Sequence, residues 1–415
     1  MTRSRTDAPT TGRSVKAKRK SSKASKTEKR TAESVASSWP KHQQDWTQST
    51  WRSRFRKRLL VWFASHAREL PWRRSPTPYR VWVSEIMLQQ TQVATVLPYY
   101  RRWMKSFPSV KKLAQAEESD LMRHWEGLGY YRRVKSMHAA AKMIVRDHSG
   151  RFPTDFDDVI ALPGIGRYTA GAILSIACDA RLPILEGNTQ RVFSRLIGLE
   201  TSPTEKSANQ LLWHFAETVL PRSGCGDFNQ AAMELGALVC VPKKPLCEQC
   251  PLKNQCAANR MGRQSEIPGK IKRIKYEDRT EFVLLIRRGT ATSREYLLRP
   301  LPEGSRWSGL WDFPRHTDGE TESVQSAADW LGAELGTTVR PGIRLKSIRH
   351  AVTKYRISLH VHHAEADDIE SITGSSDSDW QWVPIDQIES IPLSSTGREI
   401  ASILHHDRQS LLPLG

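Results

Sequence analysis

Acidic side chains are in short supply: 44 Asp and Glu stand against 63 Lys and Arg, leaving a formal net charge of +19 over 415 residues. Such a deficit favours a polyanionic partner. Cysteine is scarce too, since six in a chain of this size are too few for a disulfide scaffold. No apolar run approaches membrane-spanning length, and the N-terminus lacks an apolar signal core. The expectation is therefore a cytoplasmic or nucleoid protein with no membrane contact. The first 45 residues are Lys/Ser/Thr-rich with few apolar groups, and they hold twelve Lys and Arg against four acids. That composition predicts a disordered basic tail over 1–45.

The length predicts two or three domains. From Trp51 onward apolar residues recur at three- and four-residue steps, with Phe55, Leu59, Trp62 and Phe63 first. A long helix is expected over Tyr79–Val96. Further helices are expected near 98–106, 110–116, 118–126, 131–148, 155–162, 167–178, 188–197, 204–220 and 227–240. Strand patterns are missing until about residue 275. Then 281–287, 295–299, 343–348 and 355–363 read as strands, with a helix near 323–335 between them. The reading is multidomain: an all-α body over 46–257, a linker over 258–275, and an α+β domain over 276–415.

The body is organised around Leu162-Pro163-Gly164-Ile165-Gly166-Arg167-Tyr168. Pro163 ends one helix, and the two glycines let a foreign group approach the backbone. A new helix starts near Arg167 with its first N–H groups unpartnered, which makes a seat for phosphate. An ordinary Gly-rich helical turn accounts for the pattern equally well.

Four cysteines crowd together as C-x6-C-x2-C-x5-C: Cys240, Cys247, Cys250 and Cys256. Four thiolates suit zinc or an iron–sulfur cluster. One short loop wrapped around one point suits a cubane better than zinc, whose ribbons pair two C-x2-C knuckles. Lys243, Lys244 and Lys253 sit in that loop, where they would face phosphates. Cys178 and Cys225 read as buried small residues. Fourteen tryptophans are many; some must be core, and others could face bases.

Two acids stand out. Glu85 lies among Val83, Ile86 and Leu88, where it is either a solvated helix position or a proton carrier; taken alone, the solvated position is the simpler account. Glu186 follows an apolar run and precedes a helix, so it either caps that helix or faces a cationic transition state. Paired carboxylates are what cleavage through an oxocarbenium ion requires.

The hairpin at 162–172, the later acid and the cysteine loop, in this order and spacing, resemble the endonuclease III superfamily of DNA glycosylases. Within it, Leu70-Pro71-Trp72-Arg73, Val83–Thr91, Gly127-Leu128-Gly129-Tyr130-Tyr131 and the β-rich C-terminal region resemble the adenine glycosylase (MutY) family over about residues 50–400. The resemblance implies a helix-hairpin-helix body with a 4Fe–4S cluster on the four cysteines and a Nudix-like C-terminal domain that reads 8-oxoguanine. It implies a monomer that removes adenine from A:8-oxoG or A:G mispairs in double-stranded DNA, after the base has left the stack.

By the same resemblance, Glu85 protonates the adenine and handles the attacking water. Glu186 balances the sugar's positive charge, and Asn188 supports the site. Arg73 and Glu234 contact the flipped base, with Trp72 in the pocket wall. Gln90 and Tyr130 fill the gap beside the lesion, and Gly164, Gly166 and Arg167 seat the backbone. Tyr168 stands where bifunctional relatives carry a Schiff-base lysine, which implies excision without an efficient lyase step.

Two departures from the family pattern stand out. The acid at 186 is glutamate where the family has aspartate. The Phe-Ser-His loop is replaced by Val352-Thr353-Lys354, which keeps a hydroxyl at Thr353 and loses the aromatic and the imidazole. The clustered glutamates of a Nudix hydrolase are missing from 319–340, so pyrophosphate hydrolysis is not expected. A thymine-mismatch or oxidised-pyrimidine glycosylase, and a non-catalytic DNA-binding iron–sulfur protein, are the alternatives. Arg73 and Glu234 count against the first, and Glu85 against the second.

Overall fold

The computed structural model describes residues 45–270, 275–290, 293–317, 323–369, 372 and 379–409. The tail over 1–44 lies outside these, as do 271–274 of the expected linker. The chain divides into two compact units.

The first unit takes residues up to Ala67, Pro183–Arg222 and Gln230–Ile271. Its helices include α1 (Ser49–His66), α10 (Gly187–Ile197), α11 (Lys206–Val219), the greater part of α12 (Cys225–Leu238), and the short α13 (Ala257–Arg260). An aromatic core forms where the periodic residues of three helices meet: Phe55 on α1, Phe193 on α10 and Phe215 on α11. Phe193 and Phe215 lie 5.1 Å apart, and Trp46 adds an edge-on contact to Phe215 at 5.4 Å. Arg56 closes the C-terminus of α11 by donating to the carbonyls of Thr218, Val219 and Leu220. A cation is favoured there by the helix dipole.

The second unit takes Arg68–Leu182, Ser223–Asn229 and Lys272–Gly415. Eight short or medium helices build its helical part: α2 (Pro71–Arg74), α3 (Pro78–Leu88), α4 (Val93–Ser106), α5 (Val110–Ala114), α6 (Glu118–Trp125), α7 (Arg132–Asp147), α8 (Phe156–Ile160) and α9 (Arg167–Cys178). Trp82, Trp103 and Trp125 sit fully buried at its centre. Among the described residues eight tryptophans are buried, so most of the tryptophan excess serves packing.

The helix expected over 79–96 is two helices. It breaks at Gln89–Gln92, with Gln90 at φ 56°. No Gly or Pro marks the break. Its cause lies forty residues away, where Arg133 donates to the carbonyls of Ile86, Met87 and Gln89 and so satisfies the end of α3 from outside.

Among the described residues the C-terminal part forms a seven-stranded mixed sheet, ordered β3-β2-β1-β6-β5, with β4 on β1 and β7 on β2. Its strands are β1 (Glu277–Arg288), β2 (Glu295–Pro300), β3 (Trp311–Asp312), β4 (Arg315–His316), β5 (Val339–Val352), β6 (Tyr355–Ala366) and β7 (Gln381–Pro384). β1 and β6 run parallel, with Val283 opposite Val361. Residues 282–286 are apolar without alternation because both faces of β1 are covered there. Val283 and Leu285 face a core shared with Ile400 and Leu404 of α16 (Ser395–Gln409). Phe282, Leu284 and Ile286 face Ala327, Ala328 and Leu331 of α14 (Val324–Leu335). A further short helix, α15 (Ile385–Ile388), follows β7. No helix among the described residues is long and apolar enough to cross a membrane.

Candidate active site

Glu85 is buried at 6% exposure on α3, so it is not the solvated helix position that its sequence context allowed. Its partner comes from the hairpin. Tyr168, in the first turn of α9, donates its hydroxyl to Glu85 Oε2 at 2.6 Å. The hairpin makes this possible because Gly166 is the N-cap of α9 and sends Tyr168 back toward α3. Gly164 has φ 79°, and a Cβ there would run into the Ser136 side chain, so the turn admits only glycine. Gly164, Gly166 and Arg167 are all exposed. Gly166 supplies no side-chain cap, and the first hydrogen bond of α9 runs from Ala170 to the Gly166 carbonyl. The amides of Arg167, Tyr168 and Thr169 thus make no intrahelical bond.

Trp72 is buried and meets Tyr100 edge-on at 5.1 Å, as a member of the core. Arg73 donates to the Arg68 carbonyl at 3.1 Å. Gln90 and Tyr130 are exposed and lie on separate turns that share one anchor. Arg133 binds the carbonyls of Gln89, Leu128 and Gly129, and its burial lowers its pKa to about 10. Thr353 is at the tip of the β5–β6 hairpin. Gln90, Tyr130 and Thr353 are three of the six non-glycine residues with positive φ among the described residues. Such backbone costs on the order of 1 kcal/mol each and collects at functional sites. Tyr130, Gly164 and Thr353 also share a cavity of about 1080 Å³, which Gln89, Trp307 and His350 line as well.

In the other unit Glu186 is the N-cap of α10. Its two carboxylate oxygens accept from the amides of Asn188 and Thr189, each at 2.8 Å, while the Thr189 hydroxyl accepts from the Glu186 amide. This is a reciprocal capping box. Burial raises the Glu186 pKa, and the two amides act against that rise. Asn188 accepts from Arg191 at 2.9 Å, and Gly236 on α12 packs so closely that a Cβ there would strike the Asn188 side chain. Glu234, two residues before Gly236 on α12, is 1% exposed.

The cysteine loop is stitched by two arginines of α10. Arg191 donates to the Cys240 carbonyl at 2.7 Å. Arg195, itself buried, donates to the carbonyls of Val241, Pro242 and Ile267 and to Cys240 Sγ at 3.3 Å. Burial pushes the thiols of Cys250 and Cys256 up to about 12 and about 11, and the neighbouring thiols add to the rise. Among the described residues no three His, Cys, Asp or Glu gather closely enough to hold a single metal ion. A cubane needs no such convergence, because each thiolate binds a different iron. Lys243 and Lys244 are exposed, whereas Lys253 is paired with Glu248 at 2.5 Å.

Cys225 is buried as expected, but Cys178 is exposed, because it ends α9 where the chain turns outward at Asp179. Of the acids on α14, Glu334 is held by Arg299 at 2.9 Å, and residues 318–322 lie outside the described residues. Sequence reasoning missed Arg133, Arg191 and Arg195. Each stands beside or one turn from another arginine, and nothing in the sequence says which cation is turned inward.

The HhH-GPD superfamily of base excision DNA repair proteins matches residues 83–218, and the NUDIX domain family matches residues 282–402. The chain is 40% identical over 309 residues to an adenine DNA glycosylase of Buchnera aphidicola (subsp. Schizaphis graminum), covering 74% of this chain and 86% of that protein. It is 38% identical over 306 residues to the one of Rattus norvegicus, covering 70% and 57%, and 30% identical over 408 residues to the one of Schizosaccharomyces pombe, covering 83% and 88%. Two domain families in the order found here, and relatives matched across most of the chain, place this enzyme in the adenine DNA glycosylase family.

Proposed function

We propose that the enzyme removes adenine paired with 8-oxoguanine or guanine in duplex DNA, by hydrolysis and without an efficient lyase step. The observation that carries the reading is the buried Glu85 carboxyl held by the Tyr168 hydroxyl. In its acid form Glu85 donates a proton to the adenine ring as the C1′–N9 bond breaks and its electron pair passes to the base. The resulting carboxylate then takes a proton from the water that adds to C1′. Glu186 is assigned the charge balance of the sugar cation. Tyr168 is a phenol and forms no imine, so the abasic sugar is released intact.

Gln90 and Tyr130 would fill the space left in the stack. Arg73, Trp72 and Glu234 would receive the base, and Thr353 would face the lesion. The first turn of α9 with Gly164, Gly166 and Arg167 would seat a backbone phosphate. Cys240, Cys247, Cys250 and Cys256 would hold a 4Fe–4S cluster, whose contribution is to tie the loop together.

Duplexes carrying A:8-oxoG, A:G, T:G and an oxidised pyrimidine, incubated with the enzyme and then cleaved with alkali, test the reading. Strand breaks at adenine alone are expected. Glu85→Gln should slow them by roughly a hundredfold or more. Cleavage at pyrimidines, or an unimpaired Gln variant, would overturn it.

A further inference from the structure

Tyr130 sits at the tip of a turn in which Gly127, Gly129 and Tyr130 all have positive φ, of 92°, 69° and 50°. A backbone of this kind persists only when its surroundings impose it. Arg133 holds the turn from one side through the Leu128 and Gly129 carbonyls. The residue that opens the turn, Glu126, is held from the C-terminal domain. Arg398 on α16 grips both its carboxylate oxygens, from Nε at 2.5 Å and from Nη2 at 2.8 Å.

Arg398 is fixed before it reaches Glu126. Its guanidinium also donates to the carbonyls of Ile388 and Ile391, at 3.2 and 2.8 Å. The side chains of the pair are 30% and 15% exposed, so water competes only in part. Gly127 packs against the Tyr99 side chain so tightly that a Cβ would collide with it, which denies the turn room to drift. Two other ties from the C-terminal part, Ser308 to Lys135 at 3.3 Å and Ser390 to Arg123 at 3.4 Å, reach helices α7 and α6 rather than the turn.

We infer that Arg398 is a positioning residue for Tyr130: through Glu126 the C-terminal domain sets the turn that carries the wedge, so that what this domain binds governs how readily adenine is extruded. The inference rests on the lesion reading proposed above. Its physical content is a coupling between two residues, which a double-mutant cycle measures directly.

Single-turnover excision of adenine opposite 8-oxoguanine and opposite guanine is compared for the wild type, Glu126→Gln, Arg398→Gln and the double variant. Folding is checked by circular dichroism and urea melts. Each single variant should lower the ratio of the two rates about fivefold, and the double variant should be no worse than either. Arg398→Lys, which keeps the charge and loses the two-pronged grip, should fall between, and it carries the comparison if Arg398→Gln does not fold. Additive losses, or equal losses opposite both bases, would overturn the inference. Equal wild-type rates opposite both bases would instead defeat the lesion reading. The coupling is then judged by additivity of the excision rates alone.

Discussion

Tyr168 and Glu85 are eighty-three positions apart in the chain and 2.6 Å apart in space, joined by one hydrogen bond from phenol to carboxylate. The hairpin thus fixes the side chain assigned the acid's work. Tyr168→Phe removes the donor while keeping the ring. Excision should slow about tenfold, with duplex affinity unchanged in a gel-shift titration. A variant as fast as the wild type would show that packing alone holds Glu85.

Glu186 closes a capping box through amides two and three residues ahead of it. Aspartate caps helices at least as well. Glu186→Asp should therefore retain α10 and excise adenine as fast as the wild type or faster, whereas Glu186→Ala should cost about 1 kcal/mol in urea denaturation and lose activity. A folded but inactive Asp variant would remove this position from the chemistry.

Arg133 satisfies carbonyls on both the Gln90 turn and the Tyr130 turn. Arg133→Met strands them, and the expected loss is about 2 kcal/mol or more in urea denaturation. Arg133→Lys, with three donors for those five carbonyls, should recover part of that loss. Loss of stability without any change in duplex binding would separate this anchor from the wedge.

Asp179 caps α12 from a distance, taking the amides of Gly224, Cys225 and Gly226 on one carboxylate. Those bonds, Gly224 first, hold its pKa below the usual carboxylate value of 3.8. A folded-state pKa below the unfolded one means stability that is present above pH 3.8 and lost as acid protonates the folded carboxylate. Asp179→Ala should cost about 1 kcal/mol in urea melts at neutral pH, and the gap should close at pH values below 3.8.

His350, on the cavity wall, is pushed down to about 4 from 6.5 by burial and then by Arg315 and Arg306. Its neutral form is the folded form. The stability it contributes is present above pH 6.5 and is lost as pH falls toward 4. Thermal melts of His350→Gln should show a flatter pH dependence across that window, and an unchanged slope would mean that other groups carry it.

The sequence alone determined the helical body, the change to strands near residue 275, the hairpin and the cysteine spacing. Each is written in local periodicity, or in Gly, Pro and Cys at fixed offsets, and so needs no knowledge of distant contacts. Tertiary structure decided what those local signals leave open. It split the helix expected over 79–96, because carbonyls after Ile86 found Arg133 instead of the next turn. It buried Glu85 beside Tyr168, exposed Cys178, and turned Arg133 rather than its neighbour Arg132 inward. A charge states only that it needs a partner, and where that partner stands is fixed when remote segments pack.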